Sequence, residues 1–179
     1  MSGGQAAMIK VQREAFDPSA LLRAFTEDCG HENGAIVSFT GLVRGQAKEK
    51  QTKEGLILSQ SKDEAGLLDD VTTLELDHYP QFTEKMIESF AQEARRLWPV
   101  SHVLIVHRYG RMAPGEAIVF VATASAHRQE AFEAASYLMD RLKTDAPFWK
   151  KEKTATGEAW IEPTQKDYAA REEWRTTKE

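Results

Sequence analysis

HVLIVHRYGRMAPGEAIVFVATAS, residues 102–125, decides the fold class. HVLIVHRYG and AIVFVATAS read as two strands, and RMAPGE between them carries turn chemistry, so the stretch predicts a hairpin. Ser125 then stands as the N-cap of a long helix reaching Leu142, with Phe132, Ala135, Met139 and Leu142 as its core stripe. Asp145-Ala146-Pro147 stops that helix.

Working outward, residues 8–12 alternate in polarity and predict an edge strand. Asp17 caps a short helix opened by Pro18. Residues 35–44 read as a strand, with Ile36, Ser38 and Thr40 on one face and Val37 and Phe39 on the other; Gly41 within it marks a bulge or a close backbone approach. The span Gly45–Asp70 predicts a long inserted loop, a functional lid or a disordered segment. Residues 71–79 return to strand alternation, Pro80 breaks them, and Thr83 caps a helix whose stripe is Met86, Phe90, Ala94 and Leu97. Past the long helix, FWKKEKT is a strand that Gly157 turns toward AWIE, and KDYAAREEW predicts a terminal helix. This order is mixed and hairpin-rich, which gives an α+β fold with a mostly antiparallel sheet and packed helices.

The composition narrows the function. A formal net charge of -5 on 179 residues argues against a general nucleic-acid binder, while leaving room for a local basic pocket. No apolar run approaches a membrane span, and MSGGQAAMIKVQ lacks the charge-then-apolar order of a signal peptide, so a cytoplasmic location is expected. The single cysteine, Cys29, offers no internal disulfide and reads as structural. The five histidines show no metal-ligand spacing, so no metal and no cofactor are expected.

Four constellations carry possible chemistry. His127-Arg128 opens the long helix, where free N–H groups and the helix dipole favour an anion; an ordinary cap with a surface arginine is the plainer reading. Lys143 lies in that helix's last turn, and Lys150 follows across the Pro147 turn on a strand. Alternation there puts Phe148, Lys150 and Glu152 on one face and Trp149 and Lys151 on the other, so that Trp149 buries, Lys150 faces a cleft and Glu152 pairs with it. A lysine among apolar walls loses solvation and becomes usable as base or nucleophile, although spacing alone favours solvated lysines on an ordinary strand. Arg44 stands where the long loop begins, a second anion contact or a plain strand-end arginine. His107 in HRYG reads as a structural histidine.

Taken in order, VSFTGLVR (37–44), LELDHYPQFTEKMI (74–87), VLIVHRYGRMAPGE (103–116), VFVATASAHRQEAFEA (119–134), MDRLKTDAPFWKKE (139–152) and GEAWIE (157–162) resemble the large, catalytic subunit family of molybdopterin synthase. The resemblance spans roughly residues 8–162 and makes residues 1–162 the catalytic domain, with residues 163–179 a polar tail or short helix. It implies an α/β hammerhead-like fold with a smaller β subdomain. It implies a sulfurtransferase that installs a dithiolene on cyclic pyranopterin monophosphate, with sulfur delivered as a thiocarboxylate on a ubiquitin-like small subunit. It implies a homodimer of large subunits within a heterotetramer. Lys143 and Lys150 match the family's catalytic lysines; His127, Arg128 and Arg44 match its anion-binding residues. Phe39 and Glu152 match a pocket wall and a lysine-positioning group, and Lys151 a position of general basic charge.

Two departures stand out. The Gly45–Asp70 loop is longer than in a compact member, and Thr164 falls where some members place an arginine that reaches the neighbouring subunit, with Lys166 nearby. The chain ends TTKE rather than Gly-Gly, so a separate sulfur donor is expected. The competing reading is a non-catalytic pterin-phosphate binding or partner-docking module, which keeps the basic residues as electrostatics only.

Overall fold

A computed structural model of the chain describes residues 7–45 and 70–176, so residues 1–6, residues 46–69, on which the expected long loop falls, and residues 177–179 lie outside the described residues. The elements are β1 (Met8–Gln12), α1 (Pro18–Asp28), β2 (Ala35–Leu42), β3 (Val71–His78), α2 (Phe82–Leu97), β4 (Val100–Arg108), β5 (Gly110–Met112), β6 (Ala117–Ser125), α3 (Arg128–Thr144), β7 (Phe148–Thr154), β8 (Glu158–Ile161) and α4 (Gln165–Thr176). They build two four-stranded sheets, ordered β1-β4-β6-β2 and β5-β3-β7-β8. Every pairing is antiparallel except β1 with β4. The fold is therefore α+β.

The central strands β4 and β6 are apolar throughout because both of their faces are covered. Val103, Ile105, Val119 and Val121 pack under α2 and α3, against Ile87, Phe90, Ala134 and Leu138. The alternate residues Leu104, Val106, Phe120 and Ala122 pack on α1 through Phe25 and Cys29. The hairpin forms with Val106 opposite Phe120, but its connection is more than a turn. Gly110, at φ 87, swings the chain out of β4 so that Gly110–Met112 joins the second sheet beside β3. Val43, Leu74, Leu76 and Met112 then seal the two sheets together. Gly41 sits at the irregularity in β2, where a Cβ would come 2.7 Å from Val119 Cγ1.

Three local expectations are corrected. Ser125 is not a helix cap: β6 runs through it, it is 1% exposed, and its hydroxyl donates to Pro99 O at 3.0 Å. His127 caps α3 instead, without a side-chain hydrogen bond. Thr83 lies inside α2, because Gln81 at φ 65 closes the turn and starts the helix earlier. The Thr83 hydroxyl is buried and reaches Pro147 O at 3.4 Å, linking α2 to the turn after α3. The α3 stripe is rotated: Ala131, Ala134, Ala135, Leu138 and Leu142 are buried, and Phe132 is 61% exposed. Alanines on the buried side let the helix lie close on the sheet, which a phenylalanine there would prevent.

This rotation is directly testable. Leu138→Ala should cost about 2–5 kcal/mol of unfolding free energy, whereas Phe132→Ala should stay within about 0.5 kcal/mol. Denaturant titration of both variants measures the contrast, and comparable losses would return Phe132 to the core.

Candidate active site

The strand that carries Lys150 is anchored by its first residue. Phe148 pairs with His78 across β3, and its ring stacks on His107 with centroids 4.0 Å apart and planes 15° off parallel. His107 is buried, and its Nδ1 donates to Arg108 O at 2.9 Å. Burial holds the imidazole pKa down at about 4, with the Arg108 carbonyl opposing and neighbouring His78 assisting. His107 is thus the neutral, satisfied structural histidine that HRYG suggests.

From that anchor, β7 alternates. Lys150 lies opposite Leu76 and Glu152 opposite Leu74, so both sit on the face turned inward. Glu152 is only 8% exposed, and Lys150 Nζ lies 3.3 Å from its Oε1. A carboxylate this enclosed needs a cation beside it, and Lys150 is the one supplied. Trp149 and Lys151 point the other way. Trp149 therefore does not bury but stays 50% exposed, because the buried leucines of β3 claim the Phe148 face. On the outer face, Lys151 pairs with Glu158 and lies 5.6 Å from the Trp160 ring. Hydrogen bonds from Lys151 and Lys153 hold the Glu158 carboxyl at about 2.

Lys143 lies in the last turn of α3, its side chain half exposed, in an ion pair with Asp167 of α4. Partial burial pushes the Asp167 carboxyl up, but hydrogen bonds from Lys143 and from Thr164 outweigh it and hold the group at about 2. Thr164 therefore has a local role: its N–H and hydroxyl donate to Asp167 Oδ2 at 2.7 and 2.8 Å, and its Oγ1 accepts from Asp167 N at 3.3 Å. Asp167 escapes a reading that looks for basic residues. Its signal is the Thr-x-x-Asp spacing of a helix-start capping box.

The remaining candidates divide between two ends of the molecule. β2 pairs with β6 so that Leu42 faces Ala117 and Ala35 faces Ser125. Arg44, exposed just beyond β2, thus belongs to the Ala117 end. His127 and Arg128, both exposed, stand at the Ser125 end. α3 then runs back along the sheet, bringing Lys143 to Arg44's end, and the Pro147 turn delivers Lys150 there. At about 1.5 Å per residue, Arg128 and Lys143 are roughly 22 Å apart along α3. Within one chain the lysines and the His127-Arg128 pair do not form a single pocket. Phe39 lies on β2, an edge strand, 43% exposed.

A cleft of about 450 Å³ opens elsewhere, between α2, α3 and α4, lined by Glu93, Arg96, Tyr137, Arg141, Arg171 and Trp174 among others. None of Phe39, Arg44, His127, Arg128, Lys143, Lys150 and Glu152 lines it. Among the described residues no group of three or more His, Cys, Asp or Glu is placed to hold a metal ion, and no helix is long and apolar enough to cross a membrane.

Two lysines, each matched to a carboxylate, thus stand on either side of the Pro147 turn on an α+β frame. Comparison with known proteins gives the family. A family model described as MoaE protein matches residues 11–145, and the chain belongs to that family. It is 41% identical over 181 residues to the molybdopterin synthase catalytic subunit of Mesorhizobium japonicum, covering 100% of both chains. It is 43% identical over 143 residues to the protein of the same name from Escherichia coli, covering 80% of this chain and 83% of that one. Among solved structures, the molybdopterin biosynthesis MoaE protein of Burkholderia ambifaria superposes with a TM-score of 0.71 at 39% identity, covering 95% of this chain and 99% of the other.

The state of His107 makes stability depend on pH. Its folded pKa of about 4 lies below the unfolded value near 6.5, so below 6.5 the unfolded chain takes up a proton that the folded chain refuses. Stability supplied by the neutral ring is complete above pH 6.5 and is lost as pH falls toward 4. The loss should amount to on the order of 3 kcal/mol. Denaturant unfolding of wild type and His107→Gln at a series of pH values isolates it, and parallel pH profiles would disprove it.

Proposed function

We propose that this chain is the catalytic subunit of a molybdopterin synthase. It transfers two sulfurs from the thiocarboxylated C-terminus of a ubiquitin-like small subunit to cyclic pyranopterin monophosphate, forming the molybdopterin dithiolene. The observation that carries this reading is the corner where α3 hands over to β7. It presents two lysines on a scaffold fixed by the Phe148–His107 stack, with Arg44 at the same end of the sheet. A thiocarboxylate and a phosphate are both anions, and this corner supplies its two lysines on a helix and a strand rather than on loops.

Lys143, half exposed and at a helix end, is the group that meets the incoming thiocarboxylate or a covalent intermediate derived from it. Lys150, enclosed and paired with Glu152, assists proton transfer or orients the pterin. Glu152 positions Lys150, and Phe39 contributes a pocket wall. His127 and Arg128 bind the substrate phosphate. Because they stand roughly 22 Å from Lys143 along α3, they serve this reaction from a second copy of the chain. That agrees with a homodimer of large subunits carrying one small subunit at each end. Residence in the cytoplasm belongs to the same proposal. The alternative, a module that binds a pterin phosphate or docks the small subunit without chemistry, keeps the cations but has no use for a buried Glu152 matched to Lys150.

A single-turnover assay tests the reading. The chain is mixed with thiocarboxylated small subunit and cyclic pyranopterin monophosphate, and dithiolene product is read as its oxidised fluorescent pterin. Lys143→Ala and Lys150→Ala should each lower the rate by about a hundredfold or more while still binding the small subunit. Arg128→Ala should chiefly raise the pterin concentration needed for half-maximal rate. No product from wild type with a small subunit that does bind would leave the docking reading standing.

A further inference from the structure

We propose that Asp167 is a positioning residue for this reaction: its carboxylate is the fixed counter-ion that holds the Lys143 ammonium at the corner between α3 and β7. The proposal rests on the role given to Lys143 above. It comes from how the two oxygens of one carboxylate are divided. Oδ2 is taken by the start of its own helix, accepting from the Thr164 N–H and hydroxyl. Oδ1 is left to face outward from that turn, and Lys143 Nζ is what meets it. The Asp167 side chain is 10% exposed and the Lys143 side chain 51%, so the carboxylate is the fixed member of the pair and the lysine the movable one.

α4 is held down independently of this contact. Arg171 Nη1 donates to Asp145 Oδ1 at 2.7 Å, Trp174 Nε1 donates to Asp140 Oδ2 at 2.7 Å, and the Trp174 ring meets Trp98 edge-on at 5.6 Å. Several other charged groups around the corner are engaged with one another, while Arg44 beyond β2 is exposed. On α3, Asp140 receives Trp174. Arg141 lies between Glu93 of α2 and Asp145, and Asp145 is shared with Arg171. On α4, Arg171 also pairs with Glu172 and lies over Tyr168, while Lys166 is exposed. On β7, Lys150 is matched to Glu152. Each of the two lysines thus has its own carboxylate, delivered by a different element. Two ammonium groups working side by side repel, and separate counter-ions fix each one's direction independently.

The test uses the full chain with its small subunit and adds a readout that does not depend on turnover. In single-turnover reactions, Asp167→Asn should slow product formation by about tenfold or more at saturating small subunit. The half-saturating concentration should change by less than about twofold, and Asp167→Glu should recover most of the rate. Arg171→Ala, which loosens α4 through a different contact, should leave the rate near wild type. Separately, Lys143 modification by trinitrobenzenesulfonate, followed by peptide mass spectrometry with Lys166 as internal reference, should rise severalfold in Asp167→Asn. Equal Lys143 modification in wild type and Asp167→Asn would overturn the counter-ion. Equal slowing by Asp167→Asn, Asp167→Glu and Arg171→Ala would also overturn it, making Asp167 a part of α4 packing. Full activity in Lys143→Ala would remove the catalytic reading instead, and the modification experiment would still report on the pair.

Discussion

The pair β4 and β6 must be covered on both faces, and the placement of everything else follows from that requirement. Their side chains alternate between two apolar clusters, one under α2 and α3 and one over α1. Neither face tolerates water, so helices are recruited to both. α3 leaves the end of β6 and must lie along it to cover Val119 and Val121. Its length then decides where the chain emerges, which is beside the strand end that also carries Arg44. The lysine corner is in this sense a by-product of covering a sheet.

The second sheet is attached by a narrower set of contacts. Val43, Leu74, Leu76 and Met112 form its apolar seam, and Phe148 on His107 is the aromatic one. Because β7 is pinned at its first residue, the alternation that follows has no freedom to slip. A shift of one residue would expose Phe148 and Glu152 and bury Trp149 and Lys151. The enclosed Glu152 adds an electrostatic lock, since a buried carboxylate separated from its lysine is costly. Packing and charge therefore select the same register.

The sequence makes the backbone of this account legible, and the reasons differ by element. β1, α1 and the strands of residues 71–78 and 148–154 are readable because period-two alternation and the Asp17-Pro18 start are local signals. The cap at Ser125 is misread because a serine before a helix looks the same whether it ends a strand or opens the helix. Phe132 is misread because hydrophobicity alone ranks phenylalanine above alanine, whereas close helix-to-sheet packing favours the smaller side chain. Trp149 follows the same lesson on a strand: alternation separates the two faces, and only the partner strand says which one is inside. The lysines and arginines of the candidate site are visible as motifs. The division of the site between two ends is not, because it depends on the direction in which α3 returns.

The four tryptophans fall into two optical classes by virtue of this arrangement. Trp98 and Trp174 are packed edge to face, between α2 and α4, away from the lysine corner. Trp149 and Trp160 are exposed by 50% and 63%, one beside Lys150 in sequence and the other opposite Lys151 across β7 and β8. Indoles in water emit at longer wavelength than enclosed ones, so the red edge of the emission comes from β7 and β8. The protein thus carries its own fluorophores on β7 and β8, and whatever covers the outer face of those strands changes the colour of its emission.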